Sequence, residues 1–136
     1  MKNTSLIITQ SDLDMFRDHL QSSANLSAFN KTQLSEDLRN ATIVAKSDLP
    51  NDVVTMNSFV KLLDQESMQE FSFYLVPPSR ANIKTNKVSC LAPIGMALFG
   101  YRTGAEIKWE MPNGFRMYKL LSVTRTENPV SEMAGV

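Results

Sequence analysis

The chain is short of several chemical resources, and each shortage narrows what it can do. It has a single cysteine, Cys90, which leaves no internal disulfide framework and no cysteine-based zinc site. It has a single histidine, His19, so the commonest general base and metal ligand stands without a second of its kind. Net charge is missing as well, because 14 Lys+Arg balance 14 Asp+Glu. An indiscriminate polyanion or membrane binder needs a basic excess, which argues against that class; no direct specific nucleic-acid binding is expected either. The run Leu6-Ile7-Ile8 is too short for the apolar stretch of a leader. No window approaches the roughly 20 apolar residues that cross a bilayer. A reducing, cytoplasmic setting without a membrane partner is the expectation.

What is there reads as an ordinary globular chain: 136 residues, 43% hydrophobic and 21% charged. The length holds one domain of usual size, or a compact domain with a small appendage. The first third has helical period. Thr9 and Ser11 are alternative N-caps, Asp12 and Asp14 suit the positive end of a helix, and Leu13, Phe16 and Leu20 share one face. This predicts a helix over residues 11–21. The Ser/Asn/Ala-rich residues 22–30 read as a connector. A second helix from Lys31 or Thr32 would align Leu34, Leu38, Ala41 and Ala45. Both stripes are thin, so the resulting hairpin must lean on something else.

After residues 48–52 the period changes. Val53, Val54, Met56, Phe59, Val60 and Leu62 form a strand-like run, closed by a turn over residues 64–67. Phe71, Phe73 and Leu75 alternate with Ser72 and Tyr74 until Pro77-Pro78 stops the strand. Polar loop fills residues 79–86, and Val88 and Cys90 mark a short strand. Pro93 and Gly100 bracket a two-turn helix. Residues 105–111 and 115–124 read as strands joined at Pro112-Asn113-Gly114, Asn-Gly being a strong hairpin signal. The pattern is α+β: a helical hairpin, then an antiparallel sheet carrying one short helix.

Catalytic and ligand motifs are weak. His19 lies among charged helix residues with no ligand cluster at a suitable spacing, and a solvated helix histidine explains it. Cys90 fits a small buried strand residue. Gly95, Gly100 and Gly104 match no phosphate-binding pattern and suit helix packing, a helix stop and a turn. The methionines Met56, Met96, Met111 and Met117, and Trp109 with them, are assigned to the core. No catalytic residue, cofactor or metal ligand is expected. Charge distribution is more informative than its total. Residues 1–79 hold 6 basic and 10 acidic side chains, net −4, whereas residues 80–125 hold 8 basic and 2 acidic, net +6. Residues 126–136 add −2. The basic half reads either as a solvated face or as a docking surface for an acidic partner.

Residues 88–100 (VSCLAPIGMALFG) and 104–121 (opening GAEIKWEMPNG) are similar to the C-terminal domain of the GreA/GreB transcript-cleavage factors. That segment reads there as I-S-x-x-S-P-x-A-x-A-L-x-G, then strand, Pro and Gly. With residues 52–64 (DVVTMNSFVKLLD), the chain most resembles the Rnk group of Gre-like proteins, known as regulators of nucleoside diphosphate kinase. The resemblance implies a short helical hairpin over residues 1–48, akin to a truncated Gre coiled coil. It further implies an FKBP-like Gre domain over residues 49–125, and residues 126–136 read by themselves as a loose, flexible tail. It implies docking at the rim of the RNA polymerase secondary channel, through Leu91, Ala92 and Pro93. These replace the acid and serine found there in some Gre proteins. The arm departs from the Gre pattern. A helix of roughly 11–14 residues spans about 16–21 Å, and residues 22–30 contain no Asp or Glu to hold a catalytic Mg²⁺. The expectation is a non-enzymatic, monomeric transcription regulator that competes with Gre factors without stimulating cleavage. Two alternatives are an FKBP-type prolyl isomerase, drawing on Phe71, Phe73, Tyr74, Phe99 and Trp109, and a module that self-associates through the hairpin.

Overall fold

The computed structural model describes residues 6–22, 26–112 and 114–126. It begins with β1 (Ile7–Ile8), α1 (Gln10–Ser22), α2 (Ala28–Arg39) and β2 (Thr42–Ile43). Thr9 settles the first cap, its Oγ1 accepting from the Asp12 N–H at 3.3 Å. The second helix starts earlier than Lys31, because Ser27 lies in an extended conformation and accepts from the Asn30 N–H at 3.1 Å. It also stops sooner. Asn40 turns the chain out after Arg39, leaving Ala41 half-buried and Ala45 exposed and outside the helix. The residues beyond are needed elsewhere: Thr42 and Ile43 pair in parallel with Ile7 and Ile8, a two-stranded ribbon closing the base of the hairpin. Its Leu6 and Ile8 are among the most deeply buried side chains.

The second part holds β3 (Ser58–Asp64), β4 (Gln69–Val76), β5 (Lys87–Ser89), α3 (Pro93–Leu98), β6 (Glu106–Met111) and β7 (Gly114–Arg125). The five strands form one sheet in the order β5-β4-β3-β7-β6. Four are antiparallel as expected, whereas β5 runs parallel to β4. The parallel pair is possible because the intervening chain makes two 3₁₀ turns and returns past the end of β4. A register shift between Lys61 and Leu62 marks a bulge in β7. Such a bulge bends a strand, here one of 12 residues. Met111 pairs directly with Gly114 across the predicted hairpin, whose Asn113 lies outside the described residues. The tail over residues 127–136 lies outside them too.

The inner sheet face carries Val60, Leu62, Phe73, Leu75, Ile107, Trp109 and Leu120. These belong to the same apolar cluster as Leu13, Phe16, Leu34 and Leu38 of the hairpin. The hairpin therefore leans on the sheet. Phe16 meets Phe99 edge-on at 4.6 Å between ring centres. Of the alternating aromatics of β4, Phe73 is buried, but Phe71 is 45% exposed. Phe71 lies toward the start of the strand, where the apolar layer does not cover it.

Candidate functional site

Leu91, Ala92 and Pro93 are brought together by a tight turn between β5 and α3. Ser89 organises it twice over: its Oγ accepts from the Leu91 N–H at 3.0 Å, and its carbonyl accepts from the Ala92 N–H at 3.0 Å. The Cys90 N–H donates to the Val76 carbonyl at 2.9 Å and ties the turn to β4. Pro93 then takes the first helical position, where its missing N–H costs nothing. Gly95 allows the close approach of α3 to this turn. A Cβ there would stand 2.5 Å from the Ser89 carbonyl oxygen and 3.0 Å from Cys90 Cα. The outcome is a rigid apolar step, with Pro93 exposed and Leu91 and Ala92 half-buried.

Pro93 also lines a groove of about 470 Å³ with Leu26, Asn30, Trp109, Met111 and Pro112. Asn30 was placed in the connector by sequence, yet it is the polar centre of this groove. Its Nδ2 donates to the Glu110 carbonyl at 2.9 Å, and its Oδ1 accepts from the Glu110 N–H at 2.9 Å. Gln33 adds a donation from Nε2 to the Lys108 carbonyl at 3.1 Å. The α2 side chains thus satisfy the free edge of β6 as a neighbouring strand would. The signal that could have found Asn30 is Ser27, a cap residue three positions earlier.

The titratable groups nearby are structural in character. Cys90 is fully buried, and burial pushes its thiol up to about 11, with the Asp12 charge adding to the shift. A thiol so protonated is a poor nucleophile. Tyr101 donates to the Asp37 carboxylate at 2.6 Å, linking α2 to the chain after α3. Burial raises its phenol well above the ordinary range, and the hydrogen bond and charge of Asp37 raise it further. Burial also raises Asp12, against the opposing effects of its Thr9 hydrogen bond and of Lys46. His19 is half-buried on α1. Among the described residues, no three His, Cys, Asp or Glu side chains are grouped to hold a metal ion.

The aromatics considered for a prolyl-isomerase pocket do not converge. Phe73, Phe99 and Trp109 are core residues, whereas Tyr74 packs on Phe59 at 4.8 Å and Phe71 points into solvent. Met96 is buried, and Met56 and Met111 pack against the core as expected, whereas Met117, paired with exposed Lys108, is half-buried outside that cluster.

Comparison with known proteins covers both halves of the molecule. Residues 49–125 match the family model described as transcription elongation factor, GreA/GreB, C-term. Transcription elongation factor GreA of Clostridium botulinum is 37% identical over 93 residues, covering 68% of this chain and 58% of that protein. The GreA of Acetivibrio thermocellus is 33% identical over 93 residues, with the same coverage of 68% and 58%. The chain thus spans 58% of the length of these curated relatives. Among solved structures, a prokaryotic transcription elongation factor GreA/GreB from Nitrosomonas europaea is 32% identical with a TM-score of 0.64. That alignment covers 90% of this chain and 99% of the other, so it takes in the hairpin as well as the sheet.

Proposed function

This chain belongs to the GreA/GreB family of transcription elongation factors through its C-terminal domain, and from that premise we propose that it is a regulator that docks on RNA polymerase near the secondary channel. Leu91, Ala92 and Pro93 form the contact, and the hairpin stands beside it. The observation that carries this reading is the rigid turn at Ser89: it presents an exposed proline and two apolar neighbours without any charged side chain between them.

The finer assignment is to the Rnk group, which acts without stimulating transcript cleavage. Its support is the arm. Helix α1 has 13 residues and is about 20 Å long, and residues 22–30, from its end through the first turn of α2, contain no carboxylate. Cleavage of backtracked RNA by a Gre-type mechanism needs acids carried deep into the channel, and such an arm brings none. The protein is accordingly a cytoplasmic, monomeric, non-enzymatic factor that competes with Gre proteins for the same site. Its link to nucleoside diphosphate kinase regulation is part of the same group assignment.

The test is retention on immobilised core RNA polymerase, with purified GreA as competitor. Retention that GreA displaces is expected, and absence of retention would overturn the reading. Pro93→Asp and Leu91→Glu should each weaken retention by about tenfold or more, the scale of an interface anchor. A backtracked elongation complex incubated with the chain should release no cleaved RNA, and cleavage above background would refute the assignment to the non-cleaving group. Light scattering across a concentration series checks the monomer.

A further inference from the structure

Three of the eight basic side chains of residues 80–125 lie at one corner of the sheet. Between Glu70 and Glu106 the sequence has no Asp or Glu, but it has Arg80, Lys84, Lys87 and Arg102. Arg102 is taken up by Asp52 at 3.1 Å. The other three lie on the two 3₁₀ turns Pro78–Arg80 and Ile83–Thr85 and on the first residue of β5. Among the described residues none of the three forms an ion pair. Between them stands Ile83, 89% exposed.

This corner is a built structure. Asn82 and Lys87 exchange two backbone hydrogen bonds, both 2.9 Å. The Asn82 Oδ1 accepts from the Lys84 N–H at 3.0 Å and caps the second turn. Asn86 adopts a left-handed conformation at φ 62°, and its Nδ2 donates to the Ser72 carbonyl at 2.8 Å. The turn is therefore held in one shape, and that shape keeps an isoleucine in water. The fold uses the Ile83 carbonyl, which accepts from the Asn86 N–H at 3.1 Å, but leaves its side chain uncovered. This fixed presentation lowers the ordering cost of any contact the side chain makes. An apolar knob flanked by unpaired cations complements an apolar recess bordered by carboxylates, which is the chemistry of a protein surface. A phosphate backbone would satisfy the cations and leave the isoleucine facing charge. Only three residues separate Lys87 from Leu91, a span of at most about 14 Å. The corner and the start of the apolar step are thus joined through β5, and Pro93 beyond them reaches the groove beside β6.

We propose that Ile83, flanked by Arg80, Lys84 and Lys87, is a second docking point that seats in a carboxylate-rimmed apolar recess of the protein partner. The inference rests on the polymerase reading and extends it from one contact to two. The affinity of the fluorescently labelled full chain for core RNA polymerase, measured by anisotropy at low and high salt, tests it. The variants are Arg80→Glu/Lys84→Glu, Ile83→Ser and, as a charge-reversal control on α2, Arg39→Glu. The double reversal should weaken binding by about tenfold at low salt, with the loss shrinking as salt screens the charges. Ile83→Ser should weaken it severalfold at both salts, and Arg39→Glu should stay within about twofold. All four positions are exposed, and circular dichroism should show unchanged melting. Normal wild-type binding with no loss in either corner variant would overturn this inference alone. No wild-type binding would overturn the polymerase reading and this inference together. Binding of naked duplex or single-stranded nucleic acid that the double reversal abolishes would replace the protein partner with a polyanion.

Discussion

The two edges of the sheet are treated in opposite ways. The β6 edge is closed from within the molecule: Asn30 and Gln33 of α2 satisfy the backbone of Glu110 and Lys108. Beside them Phe29 and Phe115 meet edge-on at 4.9 Å, and the Lys108 ammonium sits 4.8 Å from the Phe115 ring centre. The β5 edge has only three residues and leads on one side to the basic corner, on the other to Leu91 and Pro93. One edge spends its polar groups on holding the hairpin in place. The other keeps charge and an isoleucine in solvent. An edge strand left open is a hazard that proteins blunt with short length and positive charge, and here the same devices leave a surface free for a partner.

The contrast can be broken from the hairpin side first. Phe16→Ala should cost about 3–5 kcal/mol in chemical denaturation, since it empties the contact with Phe99 in a closed core. Asn30→Asp keeps the acceptor for the Glu110 N–H but removes the donor to its carbonyl, and it adds a buried negative charge. A loss of about 2–3 kcal/mol is expected, together with concentration-dependent association through the freed β6 edge, visible by light scattering. Gly95→Ala tests the opposite side. Its Cβ has no room against Ser89 and Cys90, so α3 must lift, at about 1–3 kcal/mol and with weaker polymerase retention.

Tyr101→Phe should have the smallest effect on stability, about 1 kcal/mol near neutral pH through loss of the Asp37 hydrogen bond. Its pH dependence is the sharper readout. The folded phenol lies above its ordinary value of 10.0, so the folded state holds its proton more tightly than the unfolded chain. That contribution is present below pH 10.0 and is lost as pH rises further. Tyr118 is raised in the same direction by burial and by Asp64. The variant should therefore show a shallower alkaline decline than the parent chain, with the part due to Tyr118 remaining.

Much of this architecture is legible along the chain, because local chemistry specifies it. Leu13, Phe16 and Leu20 set the first helix, Asp64 makes the turn after β3 by accepting from the Glu66 and Ser67 N–H groups, and Pro93 starts α3. Misjudged positions are those where a distant partner decides. Residues 28–30 join a helix because Ser27 caps it and Glu110 receives Asn30, 80 positions away. Ala45 fits the helical period but lies outside, because the preceding residues pair with β1. The parallel placement of β5 depends on the return of the 3₁₀ turns, which carry no periodic signal.

The sequence by itself determined the types of the longer elements, the break between the hairpin and the sheet, the helix start at Pro93 and the uneven division of charge. These follow from side-chain period, proline geometry and counting, none of which needs a neighbour. Only the tertiary structure decided which edge of the sheet is sealed and which is left open. A hydrogen bond between Asn30 and Glu110, or an isoleucine left 89% exposed on a fixed turn, exists only once distant segments have been packed. Composition cannot distinguish a lysine that balances a neighbouring acid from one left without a carboxylate beside it, and it is distance in the folded chain that makes the difference.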